Sequence, residues 1–363
     1  MQHTNSLRVI GLMSGTSLDG LDIAFVEFHE DSRLHFEWID VETIAYSGEW
    51  KAKLHEAFFS TPESLGLLNE AYGRWLGEQT LAFMQKNRIQ ADLIASHGHT
   101  IFHRPHEHYT LQIGSGKAIR EITGVPVVCN FREQDVRMGG QGAPLVPVGD
   151  QLLFGDYEWC LNLGGFANIS WAENGLRKAC DIGPCNMLLN TICTRLSMDY
   201  DAQGRIGRTG QVLSELLERW NALGFYSLEH PKSLGREWFE EHFSKDVLNP
   251  TTQPRDLLAT AYRHIAFQVH RFIEQRHKLT SYPSERSRVL VTGGGAHNSF
   301  LLQLLAQCSK GSLHYEVPDE RLVDYKEALV FALLAYLRWT GKPNVLASVT
   351  GAPADHSSGE IFS

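Results

Sequence analysis

The chain has 363 residues, and 33 basic against 42 acidic residues give it a formal net charge of −9. Because no basic block interrupts this acidic balance, nucleic acid is not an expected partner. The longest apolar run, residues 328–337, is too short to cross a bilayer, and the first five residues lack the pattern of a signal peptide. We expect a cytoplasmic protein with no membrane partner, and the length predicts two domains or one large bilobal unit.

A glycine-rich stretch near the N-terminus separates two strand-like segments. Residues 7–10 and 23–28 are mostly β-branched or aromatic, whereas residues 11–22 read Gly-Leu-Met-Ser-Gly-Thr-Ser-Leu-Asp-Gly-Leu-Asp. This pattern predicts a hairpin whose glycines and hydroxyls cradle a phosphate, with carboxylates that would hold a hydrated Mg²⁺ beside it. The candidate residues are Gly15, Thr16, Ser17, Asp19, Gly20 and Asp22. By turn chemistry alone, an ordinary Gly/Ser hairpin is the alternative.

Five histidines fall between residues 97 and 108, directly after a short buried strand predicted over residues 93–96. Neutral imidazoles are common zinc ligands, but no histidine pair lies on a strongly predicted helix and no nearby cysteine completes a tetrahedral set. We therefore expect a strand-end loop that contacts a polar ligand rather than a metal. His97 and His99 are the candidate contacts because they adjoin the end of the strand.

Arg132 follows a strand predicted over residues 125–129 and precedes a loop of small residues and prolines at 139–147. Its planar guanidinium matches a carboxylate, so Arg132 is the cation that we expect to face a ligand carboxylate. A structural ion pair with Asp135 is the alternative. The loop at 139–147 marks the place where the chain would cross between lobes.

A second unit of strand, glycine turn and strand spans residues 159–171. Its turn supplies Gly164, Gly165 and Asn168, and the phosphates of a nucleotide would fit between this turn and the first one. Asp181 then lies at the predicted end of a strand, before a Gly-Pro break. A general base is commonly presented in such a position, and an Asp that only bonds the turn backbone is the alternative.

Residues 200–250 are polar and rich in turn formers, which predicts surface loops at residues 200–204 and 230–236. Lys232, Ser233 and Arg236 lie in this stretch and have the chemistry to touch a ligand. Solvated loop positions are the simpler interpretation of all three residues.

A third glycine turn follows a strand predicted over residues 288–291 and would let a flat ring or a phosphate approach the backbone and the next helix. Its residues are Gly293, Gly294 and Gly295. The last long helix, predicted over residues 324–337, is apolar on almost every side and should be buried. Glu327 in its first turn would be a costly buried charge unless it meets a ligand or an N–H donor.

Three glycine turns after strands, one strand-end Asp and a crossing helix resemble the bilobal fold shared by sugar kinases, actin and the large heat-shock ATPases. The resemblance implies an α/β chain of two lobes, each a mixed sheet flanked by helices, with the active site in the interlobe cleft. The first lobe would comprise residues 1–140 and 325–363, and the second residues 141–324. The first two turns would bind phosphate and the third adenosine.

Longer motifs resemble one family within this fold. They include the stretch at 11–22, Gly-Gly-Gln-Gly-Ala-Pro-Leu-Val-Pro at 139–147, Pro-Lys-Ser-x-Gly-Arg-Glu at 231–237 and Thr-Gly-Gly-Gly-Ala-x-Asn at 292–298. In this order, and nearly end to end, they are similar to motifs of the 1,6-anhydro-N-acetylmuramic acid kinases. The resemblance implies Mg²⁺-dependent transfer of the γ-phosphoryl group of ATP to O6 of the anhydrosugar, with hydrolytic opening of the 1,6-anhydro bridge. The product would be N-acetylmuramic acid 6-phosphate, an intermediate of cell-wall recycling.

The resemblance also implies roles for individual residues and a homodimeric state. Asp181 would take a proton from the water that attacks C1, Arg132 would hold the lactyl carboxylate, and Glu327 would hold a sugar polar group or the water. Some residues differ from those usual in the family. They are His99, Asn130, Ile182, Cys185 and Asn190. A kinase for a related anhydrosugar or amino sugar therefore stays open, as does a non-catalytic ATP-binding switch of the same fold.

Overall fold

The structure is a computed structural model that describes residues 6–15, 18–277 and 287–363. Within these residues the chain forms thirteen strands and twelve α-helices. The strands are β1 (Ser6–Ser14), β2 (Gly20–Glu30), β3 (Leu34–Ala45), β4 (Leu93–Ser96), β5 (His99–Arg104), β6 (Tyr109–Ile113), β7 (Val127–Cys129), β8 (Trp159–Leu163), β9 (Phe166–Glu173), β10 (Leu176–Pro184), β11 (Ser287–Thr292), β12 (Leu313–Glu316) and β13 (Glu360–Phe362). The helices are α1 (Gly48–Glu56), α2 (Pro62–Asn87), α3 (Gly116–Thr123), α4 (Glu133–Arg137), α5 (Pro147–Leu153), α6 (Asn186–Thr194), α7 (Ser214–Asn221), α8 (Arg236–Val247), α9 (Pro254–His277), α10 (Ser299–Ser309), α11 (Glu320–Trp339) and α12 (Ala347–Thr350).

The chain divides into two compact units. The first unit comprises Met1–Leu153 with Tyr325–Ser363, and the second comprises Phe154–Asp324. The first boundary lies after α5 and not at residue 140, because α5 packs within the first unit. There Asp150 forms a buried ion pair with Lys326 (2.6 Å).

A six-stranded mixed sheet forms the centre of the first unit, in the order β13-β7-β4-β1-β2-β3. β1, β2 and β3 are antiparallel neighbours, β4 and β7 run parallel to β1, and β13 is antiparallel to β7. Buried strand residues such as Ile10 pack with Tyr72 and Phe83 of α2 in the core. Gly11 in β1 allows α11 to approach closely, since a Cβ at this position would overlap the carbonyl oxygen of Ala328.

A five-stranded mixed sheet forms the centre of the second unit, in the order β10-β9-β8-β11-β12. β10, β9 and β8 are antiparallel neighbours, whereas β11 runs parallel to both β8 and β12. Trp159 and Trp171 are fully buried and stack on each other in the core of this unit. Because β8 and β11 are parallel neighbours, the turns that follow them lie at the same edge of the sheet.

Several predicted elements are confirmed, and two helices had no counterpart among the predicted elements. The helix predicted from Pro62 is α2, and Thr61 caps it by accepting the N–H of Ser64 (3.3 Å). The stretch 200–250 contains α7 and α8 in addition to loops, and α8 buries one apolar face in the core of the second unit. Among the described residues, no helix combines the length and the apolar character that a membrane span requires.

Candidate active site

The first glycine turn is a hairpin between β1 and β2, as predicted. β1 ends at Ser14 and β2 begins at Gly20, so the turn comprises the residues between them. Gly15 lies in this turn, whereas Thr16 and Ser17 lie outside the described residues. Gly20 belongs to the sheet, where a Cβ would come within 2.6 Å of the β3 backbone. Gly20 therefore serves strand packing, and Gly15 is the glycine placed at the tip.

The two carboxylates of this hairpin differ in their surroundings. Asp19 lies in the turn and is exposed, whereas Asp22 lies in β2 and accepts a hydrogen bond from Thr43 Oγ1 (2.7 Å). Mg²⁺ is usually bound through one or two carboxylates, several waters and the phosphates of a substrate. The described residues contain no cluster of three or more metal-binding side chains. Within the described part of the chain, Asp19 and Asp22 therefore do not belong to a preformed protein cage for a metal ion.

A buried chain of hydrogen bonds fixes the start of the turn. The Ser14 hydroxyl lies 2.6 Å from Tyr46 Oη and 3.2 Å from His99 Nδ1, and Tyr46 Oη lies 2.6 Å from Tyr72 Oη. Burial lowers the pKa of His99 to about 4 and raises the pKa of Tyr72 well above its ordinary value. These groups are therefore neutral at physiological pH, and His99, a predicted ligand contact, is part of an internal network.

Arg132 is held by neutral acceptors and not by a carboxylate. Its Nε and Nη2 donate to His97 Nε2 (3.2 and 2.9 Å), and its Nη1 donates to the carbonyl oxygen of Gly142 (2.8 Å). The alternative of an ion pair between Arg132 and Asp135 is wrong, since Asp135 instead accepts the N–H of Gly142 (2.6 Å). Burial lowers the pKa of Arg132 to about 10, which leaves it positively charged at neutral pH.

Glu327 lies in the second turn of α11, because the helix begins at Glu320. The Glu327 side chain reaches the surface, although protein surrounds its carboxyl and the next residue, Ala328, is buried. Protein atoms packed around the carboxyl raise its pKa above the ordinary value, and the charge of Arg132 acts in the opposite direction. Glu327 and Arg132 thus interact electrostatically within the first unit.

Two of the predicted glycine turns meet in the second unit. The turn after β8 contains Gly164 and Gly165, and the triple glycine follows β11, the parallel neighbour of β8. A Cβ at Gly295 would lie 2.6 Å from Leu163 Cβ, and Gly293 has a φ angle of 79°. Glycine is therefore required at both positions, and the two turns are in contact.

The turn after β8 is bound to the start of α6. The carbonyl oxygens of Gly164 and Gly165 accept the N–H groups of Asn186 (3.0 Å) and Cys185 (2.8 Å). Cys185 is fully buried, so its difference from the usual family residue affects the packing of this junction. The fixed turn leaves little freedom for the glycine backbone to rearrange.

The triple glycine is separated from α10 by a short turn. It continues into a 3₁₀ turn, Gly294–His297, and α10 begins at Ser299. The side chain of Asn298 caps this helix by accepting the N–H of Leu301 (3.1 Å). Because the protein's own side chain occupies the helix start, a ligand at this turn would meet the glycine backbone.

Asp181 lies at a β-bulge, where the register between β10 and β9 shifts before Gly183. β10 continues to Pro184, so Asp181 lies inside the strand and not at its end as predicted. Its Oδ2 accepts the N–H of Leu234 (2.8 Å), and its own N–H donates to the carbonyl oxygen of Lys232 (3.0 Å). Burial raises the pKa of Asp181 to about 6, although the Leu234 hydrogen bond and the Lys232 charge lower it. A partly buried carboxyl that titrates near neutrality can accept a proton at physiological pH.

Lys232 belongs to this site, although the sequence placed it in a solvated loop. Its Nζ donates to the carbonyl oxygen of Phe225 (3.1 Å) and lies 4.5 Å from the centre of the Phe225 ring. Lys232 also lines a pocket together with Ile182, the residue after Asp181. Asn168, from the second glycine turn, is the β9 residue paired with Asp181. The second unit therefore places one glycine turn, one carboxyl and one fixed cation side by side.

Glycine turns at strand ends, a carboxyl with a raised pKa and a mixed α/β framework are features expected of an ATP-dependent phosphotransferase.

Comparison with known proteins gives the family. The family model for anhydro-N-acetylmuramic acid kinase matches residues 7–363. Proteins of that name from Synechococcus elongatus and Aliivibrio fischeri are 35% and 34% identical to this chain, each over 98% of this chain and 99% of the relative. The chain therefore belongs to the anhydro-N-acetylmuramic acid kinase family, which confirms the resemblance found in its motifs. It is a kinase that uses ATP and acts on anhydro-N-acetylmuramic acid.

Solved structures of more distant proteins resemble this chain weakly. Component A of (R)-2-hydroxyglutaryl-CoA dehydratase from Acidaminococcus fermentans aligns with 92% of this chain and 99% of its own, with 13% sequence identity and a TM-score of 0.47.

Proposed function

We propose that this kinase couples phosphorylation at O6 to hydrolysis of the 1,6-anhydro bridge. Water adds at C1, the bond between C1 and O6 breaks, and O6 takes the γ-phosphoryl group of ATP. The products are N-acetylmuramic acid 6-phosphate and ADP, so that one water and one ATP are consumed for each sugar. This reaction serves the recycling of cell-wall peptidoglycan.

The state of Asp181 is the observation that carries this proposal. One carboxyl oxygen is fixed by Leu234 N–H, and burial raises the pKa of the carboxyl to about 6. At neutral pH the group is ionised, yet it is a stronger base than an ordinary Asp. It would take the proton from water as the water oxygen attacks C1.

The other residues bind and orient the two substrates. Glycine turns supply backbone N–H donors for the phosphate charge, as phosphoryl transfer requires. Arg132 would hold the lactyl carboxylate, and Glu327 would hold a polar group of the sugar or the attacking water. Asp19 and Asp22 would hold a hydrated Mg²⁺, which neutralises charge on the β- and γ-phosphates when bound.

Sugar-dependent turnover of ATP tests the proposal. ADP release is measured with anhydro-N-acetylmuramic acid, the same anhydrosugar without its lactyl group, N-acetylglucosamine and glucose. We expect fast release with the first sugar and a new phosphomonoester at C6 in its ³¹P and ¹H NMR spectra. Release of equal rate without any sugar would instead support the ATP-binding switch. Faster turnover of a different anhydrosugar would reassign the substrate.

Two further properties are proposed from the sequence alone. We propose a homodimer, which light scattering after size exclusion would test by a mass near twice the 40.9 kDa of the chain. We also propose a cytoplasmic location, which fractionation of the source cells would test.

A further inference from the structure

The neutral side chain of His97 holds the guanidinium of Arg132 in place. His97 Nδ1 lies 2.9 Å from the carbonyl oxygen of Gly98, which can only accept, so Nδ1 carries the ring proton. Nε2 then has a free electron pair, which accepts from both Nε and Nη2 of Arg132. Both ring nitrogens are thus used inside the protein, and His97 has no ring nitrogen left for a substrate.

The position of the His97 ring is fixed by its surroundings. Its backbone N–H donates to the carbonyl oxygen of Leu12 (3.0 Å), and its ring packs on Phe331 with 4.6 Å between the ring centres. Only 6% of the residue is exposed. Burial and the nearby charge of Arg132 lower the pKa of His97 well below its ordinary value, which agrees with the neutral form that the geometry requires. A rigid, neutral acceptor therefore fixes one edge of the guanidinium.

The anchoring of Arg132 leaves donors for a ligand. Three of the five N–H donors of a guanidinium are used here, by His97 and by the carbonyl oxygen of Gly142. One N–H on Nη1 and one on Nη2 have no acceptor within the described part of the chain. Two neighbouring N–H groups match the two oxygens of a carboxylate. Because both anchors are uncharged, they leave the positive charge of Arg132 without a bonded anion, and Glu327 is the carboxylate that influences it at longer range.

We infer that His97 is a positioning residue that gives the enzyme its preference for a sugar bearing a carboxylate. His97 orients the guanidinium without neutralising it, so that the remaining Nη1 and Nη2 donors of Arg132 face the carboxylate. This inference rests on the proposed role of Arg132 in holding the lactyl group. A carboxylate in place of the His97 imidazole could also orient the guanidinium, but it would cancel the positive charge of Arg132.

Two amide variants of His97 separate positioning from packing. The amide of H97N falls near Nδ1, so it can bond Gly98 but withdraws the acceptor from Arg132. The longer amide of H97Q reaches the Nε2 position and restores an oxygen acceptor. Both variants lose the same ring contact with Phe331. A matched control outside the site is H29Q, since His29 stacks on His35 in the first unit and has no assigned role.

The readout is the ratio of two dissociation constants, measured by calorimetry for anhydro-N-acetylmuramic acid and for the same anhydrosugar without its lactyl group. We expect H97N to weaken binding of the carboxylated sugar about ten- to a hundredfold and to change binding of the other sugar less than threefold. H97Q should recover most of the ratio, and H29Q should leave it unchanged. The KM for ATP should stay constant in all variants.

The outcomes distinguish the inference from the function on which it rests. If R132M keeps the wild-type ratio, Arg132 does not bind the carboxylate, and the role of His97 falls with it. If R132M abolishes the ratio and H97N keeps it, the inference about His97 alone is overturned. Equal weakening of both sugars in H97N would show a merely structural role. Should H97N fail to fold, R132K provides the test, because lysine keeps the positive charge but lacks the planar guanidinium. If R132K keeps the wild-type ratio of dissociation constants, orientation by His97 is not needed.

Discussion

Replacement of Asp181 by Asn tests the proposed base and predicts opposite effects on activity and on stability. The amide oxygen of D181N can still accept the N–H of Leu234, so the local fold is kept. At pH 7 a carboxyl with a pKa of about 6 is about nine-tenths ionised, so the wild type has its base available. Loss of a general base typically costs ~10²–10⁴-fold in rate. We therefore expect kcat to fall by at least about a hundredfold, with the affinity for ATP unchanged.

The stability effect follows from the direction of the pKa shift. Because folding raises the pKa of Asp181 from 3.8 to about 6, the ionised form costs stability of about 3 kcal/mol. This cost is absent below about pH 4 and is complete above about pH 6. D181N removes the charge, so at pH 7.5 its Tm should equal or exceed that of the wild type. At pH 4 the advantage should disappear.

The assays are coupled measurement of ADP release, calorimetry with ATP and thermal unfolding at the two pH values. D246N is the matched control, since Asp246 lies in the same unit and bonds Arg219 and Trp220. Its kcat should stay within about twofold of the wild-type value. The reasoning would be refuted by a D181N enzyme that keeps more than a tenth of the wild-type kcat. A lower Tm for D181N at pH 7.5 would refute the stability argument.

Three further predictions follow from contacts in the two units. The value of kcat/KM should fall tenfold for each pH unit below about pH 6, because Asp181 gains a proton there. K232M should shift this fall to higher pH, since the loss of a nearby positive charge raises the pKa of the carboxyl, whereas K232R should not. An unchanged pH profile in K232M would contradict the prediction. S14A should lower the free energy of unfolding by about 1–2 kcal/mol in urea titrations, since Tyr46 and His99 both lose their hydrogen bond to the Ser14 hydroxyl. An unchanged urea midpoint would argue against a stabilising role for these buried hydrogen bonds. G11A should lower the free energy of unfolding by about 3 kcal/mol or prevent folding, because the added Cβ would overlap the α11 backbone. G48A is the control and should unfold like the wild type, since a Cβ at Gly48 meets nothing within 4 Å.

The local sequence predicts the strands and turns of the site better than it predicts the hydrogen bonds that join them to distant residues. The pattern of β-branched residues and glycines around residues 11–22 is a local signal, and the hairpin is where it predicts. The hydrogen bonds of Ser14 join residues that are 32 and 85 positions apart, and no periodicity encodes such contacts. The contacts of Asp181 with Lys232 and Leu234 are non-local in the same way, so the local sequence around Lys232 predicts only a solvated loop.

Errors in helix bounds have similar physical causes. The predicted start of α11 at residue 324 omits its first turn, whose charged Glu320 and Arg321 give no apolar signal. α8 was not predicted, since its buried residues Phe239 and Phe243 are diluted by charged neighbours that face away from the core. Tertiary packing stabilises the helical conformation of both segments, and a single sequence does not show that packing directly.

The enzyme's own reaction in ¹⁸O-labelled water tests the central claim most directly. The kinase is incubated with ATP, Mg²⁺ and anhydro-N-acetylmuramic acid, and the sugar phosphate is examined by mass spectrometry and NMR before its anomeric oxygen exchanges. We predict one ¹⁸O atom at C1 and none between C6 and phosphorus, and we expect D181N to form this product at least about a hundredfold more slowly. A phosphorylated sugar with an intact 1,6-anhydro bridge, or a label that appears at C6, would contradict the account.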